Sequence, residues 1–89
     1  MRIIMDDNII VYEEECEISI AHLNKNKLYT LDYVGSMIFK KAQEIDCVEE
    51  LIDYFATKAN VNREMIEEDM KDFIYKLEAA EVIKVYEYS

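Results

Sequence analysis

The chain of 89 residues contains no proline, no tryptophan, one glycine (Gly35) and one histidine (His22). A single glycine cannot supply G-x-G-x-x-G or a P-loop, which excludes nucleotide binding by glycine-rich phosphate cradles. Without proline, low-complexity stretches or an internal repeat, nothing marks a linker, and residues 1–89 read as a single domain. Two cysteines, Cys16 and Cys47, lack C-x-x-C spacing and paired histidines, so they read as reduced thiols and not as zinc ligands or a redox pair. His22 has no cysteine or serine partner in sight and reads as a surface or strand-end residue. No catalytic constellation is present, so an enzyme is not expected, and no cofactor or metal is implied. Basic residues are scarce as well: 10 Lys and Arg against 20 Asp and Glu give a net charge of -10. Such a surface repels phosphate backbones and favours partners that carry Lys or Arg, so nucleic acid is not expected. No apolar window reaches the length of a membrane span, and Met1–Met5 runs straight into Asp6 and Asp7, unlike a signal peptide. The sequence points to the cytoplasm, with no membrane partner.

What is present is a globular mixture, 52% hydrophobic and 34% charged. Short β-branched and aromatic runs at Ile9–Tyr12, Cys16–Ala21 and Leu28–Leu31 predict three strands. In the second, Cys16, Ile18 and Ile20 alternate with Glu17 and Ser19, the period of a strand with one buried face. Asn24, Lys25 and Asn26 supply turn chemistry before the third strand. From Tyr33 the period becomes helical: Asp32 is placed as an N-cap, with Val34, Ile38 and Ile45 on one face, flanked by Met37 and Ala42. A second helix carries Val48, Leu51, Ile52, Phe55 and Ala59 as a stripe, with Asp46 and Glu49 or Cys47 and Glu50 at capping-box spacing. Asn62 is expected to cap a third helix, where Ile66, Met70, Phe73, Leu77 and Ala80 step by four and three and Ile74 widens the stripe. Val82–Tyr88 returns to strand-like composition, as a terminal strand or an extended tail.

The acidic runs Glu13–Glu15 and Glu67–Asp69 do not make metal sites, because adjacent residues of a helix or strand point apart. Strands followed by two helices around Asn60–Asn62 also fit a winged helix-turn-helix outline, which would make the chain a regulatory protein binding nucleic acid or another regulator. The outward positions of the third helix, Glu67, Glu68, Asp72 and Glu78 against Lys71 and Lys76, argue against a DNA-reading role.

The order Leu28-Tyr29-Thr30-Leu31-Asp32, Val34-Gly35-Ser36-Met37-Ile38-Phe39, Val48-Glu49-Glu50-Leu51-Ile52 and Glu68-Asp69-Met70 followed by Phe73-Ile74 and Leu77 resembles the PqqD-like proteins, or RiPP recognition elements. The resemblance runs from about Ile9 to Ile83. Two departures stand out: no glycine precedes the third strand, and Glu81 occupies a position where glycine is usual. The resemblance implies an α+β fold of winged helix-turn-helix type, with three N-terminal antiparallel strands, three helices and room for an added C-terminal strand. It also implies a non-catalytic peptide chaperone that binds the leader of a ribosomally synthesised precursor peptide. The leader would add as a strand beside the third strand, with the third helix as the other wall, and be presented to a separate modifying enzyme such as a radical-SAM enzyme, a lasso-type protease or a cyclase.

On that reading the peptide contacts fall on Leu28, Tyr29, Thr30, Leu31, Asp69, Met70, Phe73 and Leu77; the competing assignment places Met70, Phe73 and Leu77 in the core, and for Leu77 the core is the better fit. Asp69 matches a recurrent acid of the family and suits a leader Lys or Arg. Backbone pairing at an open edge predicts slower amide exchange in Tyr29, Thr30 and Leu31 on binding. It also leaves a monomer or weak homodimer as the expected state.

Overall fold

The computed structural model describes residues 1–87. Along the chain lie β1 (Arg2–Met5), β2 (Ile9–Glu14), β3 (Glu17–His22), β4 (Lys27–Thr30), α1 (Tyr33–Ala42), α2 (Val48–Ala59), α3 (Glu64–Ala79) and β5 (Ile83–Tyr86). The three expected strands are β2, β3 and β4, an antiparallel sheet in that spatial order. The terminal strand is present as β5, and it pairs antiparallel with a fourth N-terminal strand, β1, that local pattern did not reveal. Of the four β1 residues only Ile3 is buried, and its ladder partner is Val85, so no alternation or nearby turn marks the strand. Tyr88 lies outside the described residues.

Two tight turns set the register of the main sheet. Glu15, at φ 52°, turns β2 into β3, and Asn26, also at φ 52°, turns β3 into β4. Asparagine tolerates the left-handed region, which explains how the second turn forms without glycine. Ile18, Ile20 and His22 point inward from β3, while Cys16 stands in the turn and is exposed, so the buried alternation begins two residues later than expected. His22 is buried, not at the surface. It is held at the strand end because its Nε2 lies 3.1 Å from the Glu81 carbonyl oxygen and 3.2 Å from an Asp6 carboxylate oxygen. These contacts join the main sheet to the two turns that flank the β1–β5 pair.

The helices cover the inner face of β3. Asp32 caps α1, its carboxylate accepting the Gly35 N–H at 2.6 Å. The buried face of α1 is Ile38, Phe39 and Ala42, rotated from the expected stripe, and Val34 is exposed. Helix α2 begins at Val48 after Cys47, which makes no side-chain cap bond, and it stops at Asn60 in the left-handed conformation. Arg63, not Asn62, occupies the cap position of α3; Asn62 contributes only its backbone carbonyl, which accepts the Met65 N–H at 3.0 Å. One core unites both sheets and all three helices, with Ile20, Phe39, Leu51, Ile52, Ile74, Val82 and Ile83 essentially inaccessible. No helix among the described residues is long and apolar enough to cross a membrane.

Candidate functional site

Four strand edges arise from this topology, and their hydrogen-bond phase decides which can accept another chain. Leu31 donates its N–H to Ile18 O at 2.9 Å, which makes Ile18 and Leu31 a hydrogen-bonded pair in the ladder. Antiparallel ladders alternate, so Tyr29 with Ile20 and Lys27 with His22 are the next bonded pairs. The N–H and C=O groups of Leu28 and Thr30 therefore point away from β3, along the open edge of β4. The second bond of the Ile18–Leu31 pair is relayed by a side chain. Buried Ser36 accepts the Ile18 N–H at 2.8 Å and donates to Leu31 O at 3.4 Å, pinning the start of α1 to the end of β4.

Beside this edge opens a mostly apolar cleft of about 550 Å³, within the size range of ligand pockets. Thr30, Leu31 and Asp32 form its strand end, Val34, Gly35, Met37 and Ile38 its α1 wall, Phe55 and Ala59 its α2 side, and Ile66, Asp69, Met70 and Phe73 its α3 wall. Gly35 is needed for space and not for a special φ. A Cβ there would come within 3.0 Å of both Asp32 Oδ1 and Phe73 Cε1, so α1 and α3 approach closely at this point only because the side chain is missing.

Of the eight residues expected to touch a peptide, Thr30, Leu31, Asp69, Met70 and Phe73 line the cleft. Leu28 does not; its side chain is 66% exposed on the opposite face of the sheet, although its backbone is on the open edge. Tyr29 packs half-buried against the core, and Leu77 is a core residue at 6% exposure. Sequence reading assigned Phe55, Ala59 and Ile66 to core stripes. Incomplete burial of Phe55 and Ile66 and exposure of Ala59 mark them instead as cleft walls. Only the crossing of α2 and α3 creates that difference, and no local pattern encodes it.

Asp32 and Asp69 are the ionisable residues lining the cleft, and both are acids. Asp32 is committed to its cap. Two residues before Asp69 on α3, Glu67 is hydrogen-bonded by Lys71 and approached by Arg63, which hold its carboxyl below the usual range. Arg63 also pairs with Glu49 and Asp53. Asp69 is exposed and has no hydrogen-bond or ion-pair partner among the described residues, so it is the unneutralised charge on the lip. Among the described residues no three His, Cys, Asp or Glu side chains are grouped to hold a metal ion.

The family model described as "Coenzyme PQQ synthesis protein D (PqqD)" matches residues 11–83. No curated protein matches the chain. Among solved structures, TbiB1 in complex with the TbiA(beta) leader peptide is similar, with 27% sequence identity, a TM-score of 0.85, and coverage of 96% of this chain and 99% of that one.

Proposed function

The chain belongs to the PqqD family, and from that membership we propose that it is a non-catalytic adaptor for the leader of a ribosomally synthesised precursor peptide. The leader adds as a strand along β4, seats alternate side chains in the cleft between α1 and α3, and is held for a separate modifying enzyme, of radical-SAM, lasso protease or cyclase type. The observation that carries this reading is the run of an unpaired strand edge, at Leu28 and Thr30, directly into an apolar cleft. The structural neighbour TbiB1, solved with a leader peptide bound, supports the same reading.

The energetics assign separate tasks to edge and cleft. Leu28 and Thr30 offer four backbone groups, each bond contributing about 1 kcal/mol net. Ordering the three leader residues opposite them costs about 1–2 kcal/mol apiece, so pairing alone yields little affinity. Each Leu- or Phe-sized side chain buried in the cleft adds about 1.5–3 kcal/mol, and two or three of these set the affinity. Leader side chains opposite Tyr29 and Leu31 face the cleft, and those opposite Leu28 and Thr30 face the other way. Asp69 on the lip favours a leader Lys or Arg. The nucleic-acid reading gains nothing from the geometry, because α3 turns Glu64, Glu68, Asp69 and Asp72 to solvent.

Amide exchange with and without a synthetic leader peptide tests the proposal. Leu28 and Thr30 should slow markedly, whereas Tyr29 and Leu31, already bonded to β3, should change little. This narrows the expectation from sequence, which included all of Tyr29, Thr30 and Leu31. Absence of binding, or protection confined to α2, would overturn the assignment.

A further inference from the structure

The charge of the chain reverses at one place beside the cleft. Met37 and Phe55 belong to two recesses at once: the cleft itself and a smaller one of about 280 Å³ where α1 meets α2. The remaining walls of the second recess are Tyr54, Glu44, Lys40, Lys41 and Lys58, three cations against one anion in a chain whose net charge is -10. Two of the ammonium groups are drawn to a single ring: Lys41 Nζ lies 4.5 Å and Lys58 Nζ 5.8 Å from the Tyr54 centroid. Lys40 is paired with Glu13 and Lys41 with Glu44, each at 2.7 Å. Among the described residues Lys58 has no carboxylate partner, and it is exposed.

Position and charge together identify what this recess takes. Val34, Met37 and Lys41 follow one another on one face of α1, so Lys41 stands about 10 Å beyond the Val34 end of the cleft. An extended chain covers that span in about three residues. A peptide laid in the cleft and leaving between Met37 and Phe55 therefore comes within reach of Lys41 and Lys58. Two ammonium groups on one ring lie within roughly a Debye length of each other, so they act on the same anion. A second copy is a poor occupant, because its own charge of -10 is repelled by the rest of the surface.

We infer that this recess is a second subsite for the leader and takes an Asp or Glu side chain about three residues beyond the last one seated in the cleft, with Lys58 as its ion-pair partner. The inference rests on the adaptor reading above and deepens it. Its consequence is register. Backbone pairing along β4 is nearly sequence-blind, and a slip of two residues keeps the same leader side chains on the cleft face. Met37 and Met70 make walls that adapt to either register. Such a slip moves every leader charge by about 7 Å, so a carboxylate held at Lys58 on α2 and a cation held at Asp69 on α3 lose their partners together. The two charges thus set which stretch of the leader is presented.

A phage-displayed library of random dodecapeptides, selected against the immobilised full chain, supplies the probe. Binders are kept for synthesis when they slow amide exchange at Leu28 and Thr30. The kept peptides should carry Asp or Glu at one fixed offset from their alternating apolar residues. Changing that acid to Gln should weaken binding about two- to fivefold, as for one exposed ion pair. Lys58→Glu should bind the acidic peptide about tenfold more weakly and recover affinity for its Lys-bearing counterpart, a charge swap that a merely structural role for Lys58 would not produce. Equal affinity of the unaltered chain and Lys58→Glu for the acidic peptide, with Leu28 and Thr30 still protected, would overturn the subsite and leave the adaptor reading standing. A library with no peptide that protects Leu28 and Thr30 would overturn both. Loss of a dimer in Lys58→Glu, with peptide affinity unchanged, would assign the recess to a second copy and overturn the subsite. Should Lys58→Glu fail to fold, Lys58→Gln decides: it should bind the acidic peptide and its Gln counterpart equally, and an undiminished preference for the acid overturns the subsite.

Discussion

Replacing Ser36 with alanine should destabilise the protein by about 2 kcal/mol. Ser36 is 4% exposed, and its hydroxyl is the acceptor for the N–H of Ile18, a residue itself 3% exposed. Removing the hydroxyl leaves that donor buried without a partner, which costs about 1–3 kcal/mol. The 3.4 Å bond to Leu31 O is long and adds little. In a domain of this size each kcal/mol moves Tm by about 4–8 °C, so the variant should melt roughly 8–16 °C lower. Urea titration should show a reduced midpoint with an unchanged m-value, because the native fold and the area exposed on unfolding are the same. Native-state exchange provides the local control: the Ile18 amide should exchange faster than Ile20. A loss below about 0.5 kcal/mol together with an Ile18 amide still protected would refute the relay, and with it the account of how β4 is pinned to α1.

Two further substitutions test the turn geometry and the cleft. Glu81 sits at φ 61°, in the left-handed region where a side chain costs about 1–2 kcal/mol, so Glu81→Gly should stabilise the protein by about 0.5–1 kcal/mol after the greater unfolded-state entropy of glycine is counted. Its Lys25 ion pair, at 3.6 Å and exposed, offsets little, and calorimetry showing a lower Tm would contradict this account. Asp69→Ala should weaken leader binding about two- to fivefold, with most of the difference lost in high salt, as befits one partly exposed ion pair. Calorimetric titrations giving equal affinity for the two proteins would remove Asp69 from the site.

The sequence was most legible where local chemistry and tertiary structure agree. β-Branched clusters located β2, β3 and β4, Asp32 announced α1, and the four-three stepping of Ile66, Met70, Phe73 and Leu77 announced α3. What stayed hidden depends on distant segments. β1 finds its partner more than 75 residues away, and the Ile3 N–H bonds to Asp46 O at 2.7 Å, in a loop that no pattern connects to it. His22 is buried because turns at Asp6 and Glu81 close over it. Within the site, the stripe on α3 was visible but its partition was not: Met70 and Leu77 are both buried in the core, at 4% and 6% exposure, and of the two only Met70 also borders the cleft. Before the last strand, Glu81 holds the left-handed conformation, which favours glycine.

The other three strand edges differ from β4 in how far they are closed. Along β1, Ile3 and Val48 engage the Asp46 and Met1 carbonyls, so that edge is covered by the segment entering α2. The outward Val85 N–H of β5 is taken by the Glu78 carboxylate at 3.1 Å. Among the described residues the edge of β2 has no such partner, but Glu13 and Glu14 stand at its end, and Glu13 is tied to Lys40 at 2.7 Å. Carboxylates repel a second β2 edge and any acidic strand, whereas Lys27–Thr30 of β4 carries no acid. The acidic run Glu13–Glu15 thus stands at the β2 edge, whereas the β4 edge is free of acids. Replacing Glu13 and Glu14 by threonine, which favours strands and carries no charge, should produce concentration-dependent dimers in sedimentation velocity while leader affinity at β4 is retained. A variant that sediments as the unaltered chain does, at every concentration, would show that charge is not what keeps the β2 edge unpaired.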